Sequence, residues 1–566
     1  MRTALKISIL FSAGWLISCA NEPPPFEPRL TQQSERQNAT NSESRPKQPL
    51  PTTLQSPFLT SGNTLRPTTE PSTGPSLEGG LILRMPLQEC IQRAVANNLD
   101  VKVAGYQPAI DETRVTEAEA KWDPIFFSNL NYQRVDTVSG FGFQTGNGRT
   151  IQSSTGIRQN MPSGGQAELR YEVGWTEPFR TSATAFSAAS QIKQFWSNDI
   201  LLQVTQPLLR DFGNEINRAR ITINRLNQRV SLLEFRKQLE QSLSDLEKTY
   251  WQLVAAEREV KIDEQLLNET VKTADVLFKR KGQDVTRVQL SQANASIESR
   301  RAILIRAKAH VRDLSDQIKR LMNDPDMPVS SPALILPANA PMEEPVHFDL
   351  TDQINTAMEN RFELGEQQLK IDSADVARKV AQNNLLPQLN AVGSISLGGV
   401  DNSFHDATKN ESQSDELNYS IGLQLEIPIG NREARSIYQR SLLQRQQAIE
   451  QYRDEIEIIS LDVKQAARDV DTTWEEMVAT RQARFAAADA LLAIQQREEG
   501  GEALTPTFVQ LKLDTQERLA TAQQQEVESI SNYNIAISHL EQTKGTLLRY
   551  DNVVMEEDSL PIGYRR

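Results

Sequence analysis

The clearest pattern in the chain is an alternation of apolar and polar residues over positions 417–427. Every second residue from Leu417 to Ile427 is apolar, and the residues between them are polar or glycine. Positions 169–175 alternate in the same way. A period of two is typical of a β-strand with one apolar and one polar face. The pattern predicts about two long strands in each half of the chain, four in all.

A second pattern, with a period of seven, covers the segments that follow these strands. Apolar residues recur every seven positions from Leu232 to Ala274, from Leu290 to Ile318 and from Ile449 to Met477. A narrow stripe of two apolar positions in seven indicates a coiled-coil seam rather than one face of a globular core. The pattern predicts helices of about 55 to 60 residues, which are roughly 80 to 90 Å long.

The two halves of the folded part follow one plan. The helix start at 94–101 resembles 357–364, and Pro207 and Pro428 each lie 79 residues before a threonine, Thr286 or Thr507. Such ordered matches indicate an internal duplication. We predict a first repeat at 81–330 and a second at 331–550, each with a helix, two strands and a long helical hairpin. A tail at 551–566 follows.

The N-terminus has the features of a bacterial lipoprotein signal. Arg2 and Lys6 precede a short apolar run, and Leu16-Ile17-Ser18-Cys19 resembles a lipobox. The run is too short to span a bilayer. We predict a signal peptide at 1–18 and lipidation of Cys19, and Ala20 in place of an aspartate favours the outer membrane. Residues 19–80, rich in Pro, Ser and Thr, are a predicted disordered linker.

Composition argues against nucleic-acid binding and catalysis. The formal net charge is −13, so no cationic surface dominates. The four histidines are scattered, and no metal-ligand spacing, phosphate-binding loop or nucleophile motif occurs. With Cys19 lipidated, Cys90 has no partner and is interpreted as a small buried residue. The sequence therefore predicts neither an enzyme nor a bound cofactor or metal.

The predicted strands suit a membrane β-barrel. A soluble sheet with one buried face would alternate identically, but few other apolar segments are available to cover these strands. Four strands are too few for a membrane barrel, since the smallest have eight. Three chains would supply twelve. The predicted fold is therefore mainly α with β: a trimeric 12-stranded membrane barrel, four strands per chain, continued by a long coiled-coil α-barrel.

A duplicated strand pair with a long helical hairpin, behind a lipobox, resembles the TolC family of outer-membrane efflux proteins, in its lipoprotein type. The motifs are the helix start 94–98, Leu386-Pro387-Gln388-Leu389 before a strand, Pro207 and Pro428 at strand exits, and Leu513-Asp514-Thr515-Gln516. The first half departs from the pattern at Trp122-Asp123-Pro124. The resemblance implies a homotrimer in outer-membrane lipid, extending into the periplasm. It also implies a periplasmic adaptor (membrane-fusion) protein and, through it, an inner-membrane pump.

The resemblance also assigns a role to the two hairpin turns, at 280–284 and 498–502. In the family these turns form the periplasmic tip that docks the adaptor. The candidate docking residues are Gly282, Thr286, Val288, Gln289, Gly501, Thr507, Val509 and Gln510. Asp284 and Asp514 are candidates for a periplasmic gate, because three copies of a carboxylate around one axis would attract cations.

The leading hypothesis is a passive exit duct of a tripartite efflux system. One alternative with the same architecture is the outer-membrane component of a type I protein-secretion system. Another, of a different class, is a periplasmic coiled-coil lipoprotein without a channel. The alternating strand at 417–427 argues against the second alternative, because a spacer has no need of a lipid-facing surface.

Overall fold

The computed structural model describes residues 81–135, 148–178, 194–280, 285–413, 417–502 and 504–553. The predicted signal peptide, Cys19, the linker at 19–80 and the tail beyond residue 553 lie outside this part. Gly282 and Asp284 of the first hairpin turn also lie outside it. The described chain is mostly helical with some sheet.

The helices are dominated by two hairpins. The described helices are α1 (Leu87–Asn97), α2 (Leu99–Glu119), α3 (Asn214–Asn217), α4 (Ala219–Lys279), α5 (Arg287–Met322), α6 (Leu350–Asn360), α7 (Phe362–Asn383), α8 (Phe404–Gln413), α9 (Arg432–Glu499), α10 (Pro506–Thr543) and α11 (Leu547–Tyr550). The hairpins are α4 with α5 and α9 with α10.

The helix lengths differ from the prediction in one respect. The first helix of each hairpin is long, at 61 residues for α4 and 68 for α9. The returning helices have only 36 and 38 residues, so the prediction of about 55 to 60 residues is wrong for them. In α5 the reason is local. Asn323 adopts a left-handed conformation that ends the helix, and Pro325 and Pro328 prevent its continuation.

The residues of the predicted heptad seams are buried where the long helices pack. Leu239, Leu246 and Leu253 of α4 are fully buried, and so are Val463 and Met477 of α9. Polar contacts run beside the seam, since the Ser531 hydroxyl on α10 donates to the Trp251 carbonyl on α4 at 2.9 Å. The two hairpins therefore form one four-helix coiled-coil body.

Within the described residues the main sheet contains six strands, so the prediction of four per chain is wrong. The strands are β2 (Ile125–Val135), β3 (Gly148–Asn160), β4 (Gln166–Pro178), β5 (Phe195–Pro207), β7 (Gln388–Asp401) and β8 (Leu417–Glu426), antiparallel and in that order. A separate parallel pair joins β1 (Ile82–Met85) to β6 (Leu334–Pro337).

The extra strands lie in the first half, which has four where the second has two. The sequence pattern concealed them because β3 is dominated by threonine, serine and glutamine, with few apolar residues to alternate. Their presence accounts for the spacing between prolines, which is 83 residues from Pro124 to Pro207 but only 41 from Pro387 to Pro428. The predicted plan of two strands in the first repeat is corrected accordingly.

One face of the sheet is apolar across all six strands. The strand registers place these residues on the same side: Phe126, Leu130 and Tyr132 on β2; Ile151 and Ile157 on β3; Leu169, Tyr171, Val173 and Trp175 on β4; Trp196, Ile200, Leu202 and Val204 on β5; Ile395 and Leu397 on β7; and Leu417, Tyr419, Ile421, Leu423 and Leu425 on β8. The opposite, polar face includes Gln152, Arg170, Ser394 and Gln424.

The strand ends step steadily along the sheet. The residue pairs can be followed across the sheet from Ile125, the first residue of β2, to Ser420 on β8. Ser420 lies six residues before Glu426, where β8 ends. Six residues rise about 20 Å, and five strand spacings cover about 24 Å. The line of strand ends therefore makes an angle of about 40° with the direction of pairing.

Helix α8 covers the far end of the apolar face over β5 and β7. Phe404 packs edge-on against Trp196 with ring centroids 5.5 Å apart, and the Asn198 amide donates to the Thr408 hydroxyl at 2.7 Å. Most of the rest of the face is exposed or half-exposed. Among the described residues, no helix is both long and apolar enough to cross a membrane.

Candidate functional site at the hairpin tip

The helix ends next to the two hairpin turns lie together and share a small apolar core. Leu277 of α4, Ala293 of α5, Ile494 of α9 and Phe508 and Leu513 of α10 are all buried in it. All four long helices therefore contribute to one structure at this end of the coiled-coil body. We call it the hairpin tip, comprising residues 274–300 and 491–517 as far as the structure describes them.

Gln289 connects the two hairpins at the tip. Its side-chain oxygen accepts a hydrogen bond of 2.6 Å from the Thr286 backbone, which forms a capping box at the start of α5. Its side-chain nitrogen donates to the Leu504 carbonyl at 2.8 Å. One fully buried amide thus fixes the start of α5 and the loop that leads into α10.

The second turn depends on a glycine. Gly501 has φ +84°, which is unfavourable for residues with a Cβ, and nothing lies within 4 Å of the place where a Cβ would stand. Arg497 donates two hydrogen bonds to Glu502 across the turn, at 2.7 and 2.6 Å. The hydrogen bonds from Arg497 lower the pKa of the Glu502 carboxyl. The turn is therefore tight, charged and open to solvent.

Helix α10 begins with conventional capping. The Thr505 hydroxyl accepts a hydrogen bond of 3.2 Å from the Phe508 backbone, and Pro506 occupies the first turn. Lys512 forms an ion pair of 2.5 Å with Glu498 of α9. These contacts hold the start of α10 against the end of α9.

The predicted docking residues divide into exposed and buried sets. Thr286, Val288, Gly501 and Thr507 are exposed, and Val288 shows 69% of its surface to solvent. Gln289 and Val509 are buried, at 0% and 1% exposure, so they support the tip from inside and offer no surface in this conformation. Gln510 is half-buried and contacts Gln292 of α5.

The two predicted gate residues can be described only in part. Asp514 is half-buried and accepts a hydrogen bond of 2.6 Å from the Gln510 amide one turn earlier on the same helix. It is near enough to Arg300 to favour the charged form of that guanidinium. Asp284 lies outside the described residues.

Arg300 is a buried cation between the hairpins that the sequence patterns did not single out. It is 5% exposed. Its guanidinium donates to the Leu513 carbonyl on α10 at 2.9 Å and to the Thr270 hydroxyl on α4, and it lies 3.7 Å from the Glu517 carboxylate. Burial lowers the pKa of this guanidinium. We call this set of contacts the Arg300 bridge.

A signal for Arg300 was present in the heptads. It stands seven residues after Ala293 and seven before Ala307, in the apolar register of α5. A cation at a seam position is costly unless its partners are built around it. The interruption of an apolar register therefore pointed to a polar connection between helices.

Comparison with known proteins gives one match in sequence. Residues 353–546 match the family model for "outer membrane efflux protein". This region lies within the second half of the chain and runs from inside α6 to just beyond α10. No curated protein matches the chain in sequence.

Solved structures give matches in fold. The outer membrane protein VceC of Vibrio cholerae is 16% identical, with a TM-score of 0.58, over 81% of this chain and 96% of its own. The Campylobacter jejuni CmeC outer membrane channel is 14% identical, with a TM-score of 0.59, over 85% and 90%. The Neisseria gonorrhoeae MtrE outer membrane channel, in its open state, is 15% identical, with a TM-score of 0.56, over 81% and 89%. The predicted resemblance to outer-membrane efflux proteins is confirmed, and the lipoprotein type stays a prediction.

Proposed function

We propose that this chain, whose residues 353–546 match the family model for outer membrane efflux proteins, is the outer-membrane exit duct of a tripartite efflux system. The observation that carries the proposal is the combination of two parts in one chain. A sheet with one exposed apolar face joins directly to a long coiled-coil body, in the fold of known outer-membrane channels.

The dimensions of the sheet support a membrane location. Its strands are mostly 11 to 14 residues long. At a tilt of about 40° such strands rise about 30 Å, close to the thickness of a bilayer's hydrocarbon core. The exposed apolar residues of β8, including Ile421 and Leu423, would contact lipid, and the polar face would line water. A coiled-coil spacer without a channel has no use for such a face.

The duct is proposed to act as a homotrimer without chemistry of its own. The strands that the structure describes form a sheet with two open edges, so one copy of them does not close a barrel. Among the described residues, no group of three His, Cys, Asp or Glu side chains is placed to hold a metal ion. The energy for transport would come from an inner-membrane pump. The halves of the chain, with the same order of helices around their strands, are proposed to be two copies of one unit.

The periplasmic adaptor is proposed to dock at the hairpin tip. Four exposed positions form the candidate surface: Thr286, Val288, Gly501 and Thr507. Docking there would reach the contacts that join the two hairpins just inside the tip, namely Gln289 and the Arg300 bridge. Release of these contacts would let the hairpins part and open the periplasmic end. Asp514, and Asp284 if it lies nearby, would then line the entrance.

The chain is further proposed to be anchored through acyl groups on Cys19. Replacement of Cys19 by serine should abolish incorporation of radiolabelled palmitate, whereas the native chain should incorporate it. Incorporation that persists in the Cys19→Ser variant would exclude this residue as the anchor.

A cellular test addresses the transport role. The chain is expressed with its adaptor and pump in a Gram-negative host that lacks its own exit duct. We expect the protein in the outer-membrane fraction and a several-fold rise in tolerance to the pump's substrates. The Val288→Asp variant should reach the outer membrane but give no tolerance, because a charge at the exposed tip would disrupt docking. An assembled protein that gives no tolerance with the correct partners would contradict the proposal.

A further inference from the structure

The six-stranded sheet ends in two open edges. Among the strands that the structure describes, β2 pairs with β3 alone and β8 pairs with β7 alone. Both edge strands are almost fully exposed along their length. In a membrane, unpaired backbone amides and carbonyls each cost several kcal/mol, so open edges do not persist there. If the sheet spans a membrane as proposed above, both edges need partners.

From the complementarity of these edges, we propose that β2 of one copy pairs with β8 of the next, so that the trimer closes an 18-stranded barrel. This inference rests on the proposed function. The occupant of each edge is a second copy of this chain. Three copies of six strands give the count. All six strands are required, including the two that the second half lacks.

The edges match in direction and length. Neighbouring strands are antiparallel throughout, so β2 and β8 run in opposite directions. Pairing β8 with β2 of another copy continues the same antiparallel order. The two strands have 10 and 11 residues, which leaves little of either edge uncovered.

The faces of the edges match as well. Phe126 and Tyr132 of β2 lie on the same side of the sheet as Tyr419 and Leu425 of β8. Pairing between copies therefore extends the apolar face without interruption. The stepping of the strand ends by about 40° is also the tilt expected of strands in a closed barrel.

The extra hairpin is built into the sheet and is not an appendage. The turn between β3 and β4 is joined to the junction between sheet and helices. The Ser163 hydroxyl donates to the Gln206 side chain at 2.9 Å, and the Gly213 backbone donates to the Ser163 carbonyl at 3.0 Å. Gly164, with φ +94°, lies so close to Asp211 that a side chain would clash. These contacts hold the turn between β3 and β4 beside the end of β5, where the sheet joins the helices.

The strand count sets the width of the pore. At a spacing of about 4.8 Å and a tilt of about 40°, 18 strands give a barrel about 36 Å across between backbones, against about 24 Å for 12 strands. A barrel of this width would not be the narrowest part of the duct. The size limit on substrates would then be set at the hairpin tip.

Disulfide cross-linking tests the pairing. Continuing the stepping of the strand ends across the seam places Asn131 of β2 opposite Ser420 or Gly422 of β8 in the next copy. Asn131→Cys combined with Ser420→Cys or Gly422→Cys should give covalent trimers under oxidation. The native chain is the control, because Cys90 is fully buried and burial raises the pKa of its thiol to about 12.

A competing arrangement is tested by a matched pair. If β2 and β3 were excluded and β4 were the edge, the barrel would have 12 strands, and Glu172→Cys with Ser420→Cys would cross-link instead. Cross-linking of Glu172→Cys with Ser420→Cys would overturn the 18-stranded barrel, and so would a conducting protein in which neither pair cross-links. Either result would still be consistent with the proposed channel function. Absence of both conductance and cross-links would overturn the proposed function too. Electron cryomicroscopy of the native protein counts the strands independently, and 12 would contradict the proposal.

Discussion

The guanidinium of Arg300 donates a 2.9 Å hydrogen bond to the backbone carbonyl of Leu513, and so joins the first helical hairpin to the second. The same guanidinium reaches Thr270 on α4. Separation of the hairpins would break the hydrogen bond from Arg300 to Leu513 and its ion pair with Glu517 and leave a buried cation with fewer partners, so the Arg300 bridge opposes that separation.

Removal of the Arg300 bridge should favour the open tip. The Arg300→Met variant keeps the apolar stem but loses hydrogen bonds to a charged group, each contributing about 1.5–3 kcal/mol. We expect the open population to rise at least about tenfold, measured as resting conductance in planar bilayers. Arg301→Met is the matched control, because Arg301 is exposed and pairs with Glu298 on its own helix. A folded Arg300→Met trimer with unchanged conductance would show that the bridge does not hold the tip closed.

Replacement of Gly501 should destabilise the second hairpin turn. Alanine at φ +84° is expected to destabilise the turn by about 1–2 kcal/mol. Gly500 has φ −70°, so Gly500→Ala is the neighbouring control and should have little effect. Hydrogen exchange of amides in the second turn measures the difference. Equal protection in the two variants would mean that the left-handed conformation is not maintained in solution.

Stability should depend on pH through a buried carboxyl near the C-terminal end of the described chain. Burial, and then the neighbouring Glu247, raise the pKa of Asp551 to about 10. An unfolded aspartate has a pKa of about 3.9, so the folded state holds a proton that the unfolded state releases. The free energy of unfolding should therefore fall as pH rises from about 4 to about 10, by up to about 1.4 kcal/mol per pH unit.

The Asp551→Asn variant isolates this effect. Asparagine cannot ionise and can still donate to Glu247, so the dependence on pH should flatten and stability at pH 9 should exceed that of the native chain. Denaturation midpoints at pH 6, 7.5 and 9 in detergent provide the measurement. Asp326→Asn, at an exposed position, should leave the slope unchanged. An identical slope in Asp551→Asn and the native chain would refute the shifted pKa.

Docking at the tip should distinguish Val288 from Val509. Val288 is exposed, so Val288→Asp should weaken adaptor binding at least about tenfold without unfolding the tip. Val509 is buried in the apolar core of the tip, so Val509→Ala should lower stability by about 1–3 kcal/mol. Binding to the purified adaptor and thermal unfolding separate the two effects. Normal adaptor binding by the Val288→Asp variant would show that the exposed surface around Val288 is not part of the docking site.

The helical part of the fold was predictable because its signal is local. The heptads from Leu232 to Ala274 follow directly from spacing, and the buried seam confirms them. The strand count was not predictable in the same way. In β3 the polar and apolar faces differ little, since serine and threonine occupy both, so alternation alone could not reveal it.

The candidate site was predictable to the level of the turn but not of the individual residue. Residues such as Gln289 and Val288 are one position apart, yet one is buried and the other exposed, because they lie on opposite sides of α5. Which side faces inward depends on how the second hairpin packs. The heptad register of Arg300 was the one local sign of a polar connection, and it becomes interpretable only with Leu513 and Thr270 beside it.

The most direct test of the central claim is single-channel recording of the purified mature protein in a planar lipid bilayer. The account predicts discrete conductance steps, small at rest and larger in the Asp284→Ala/Asp514→Ala variant if those carboxylates guard the entrance. Conductance steps of unchanged size in the doubly substituted variant would support the channel but contradict the proposal that Asp284 and Asp514 form its gate. A folded, oligomeric sample that never inserts or conducts would contradict the account.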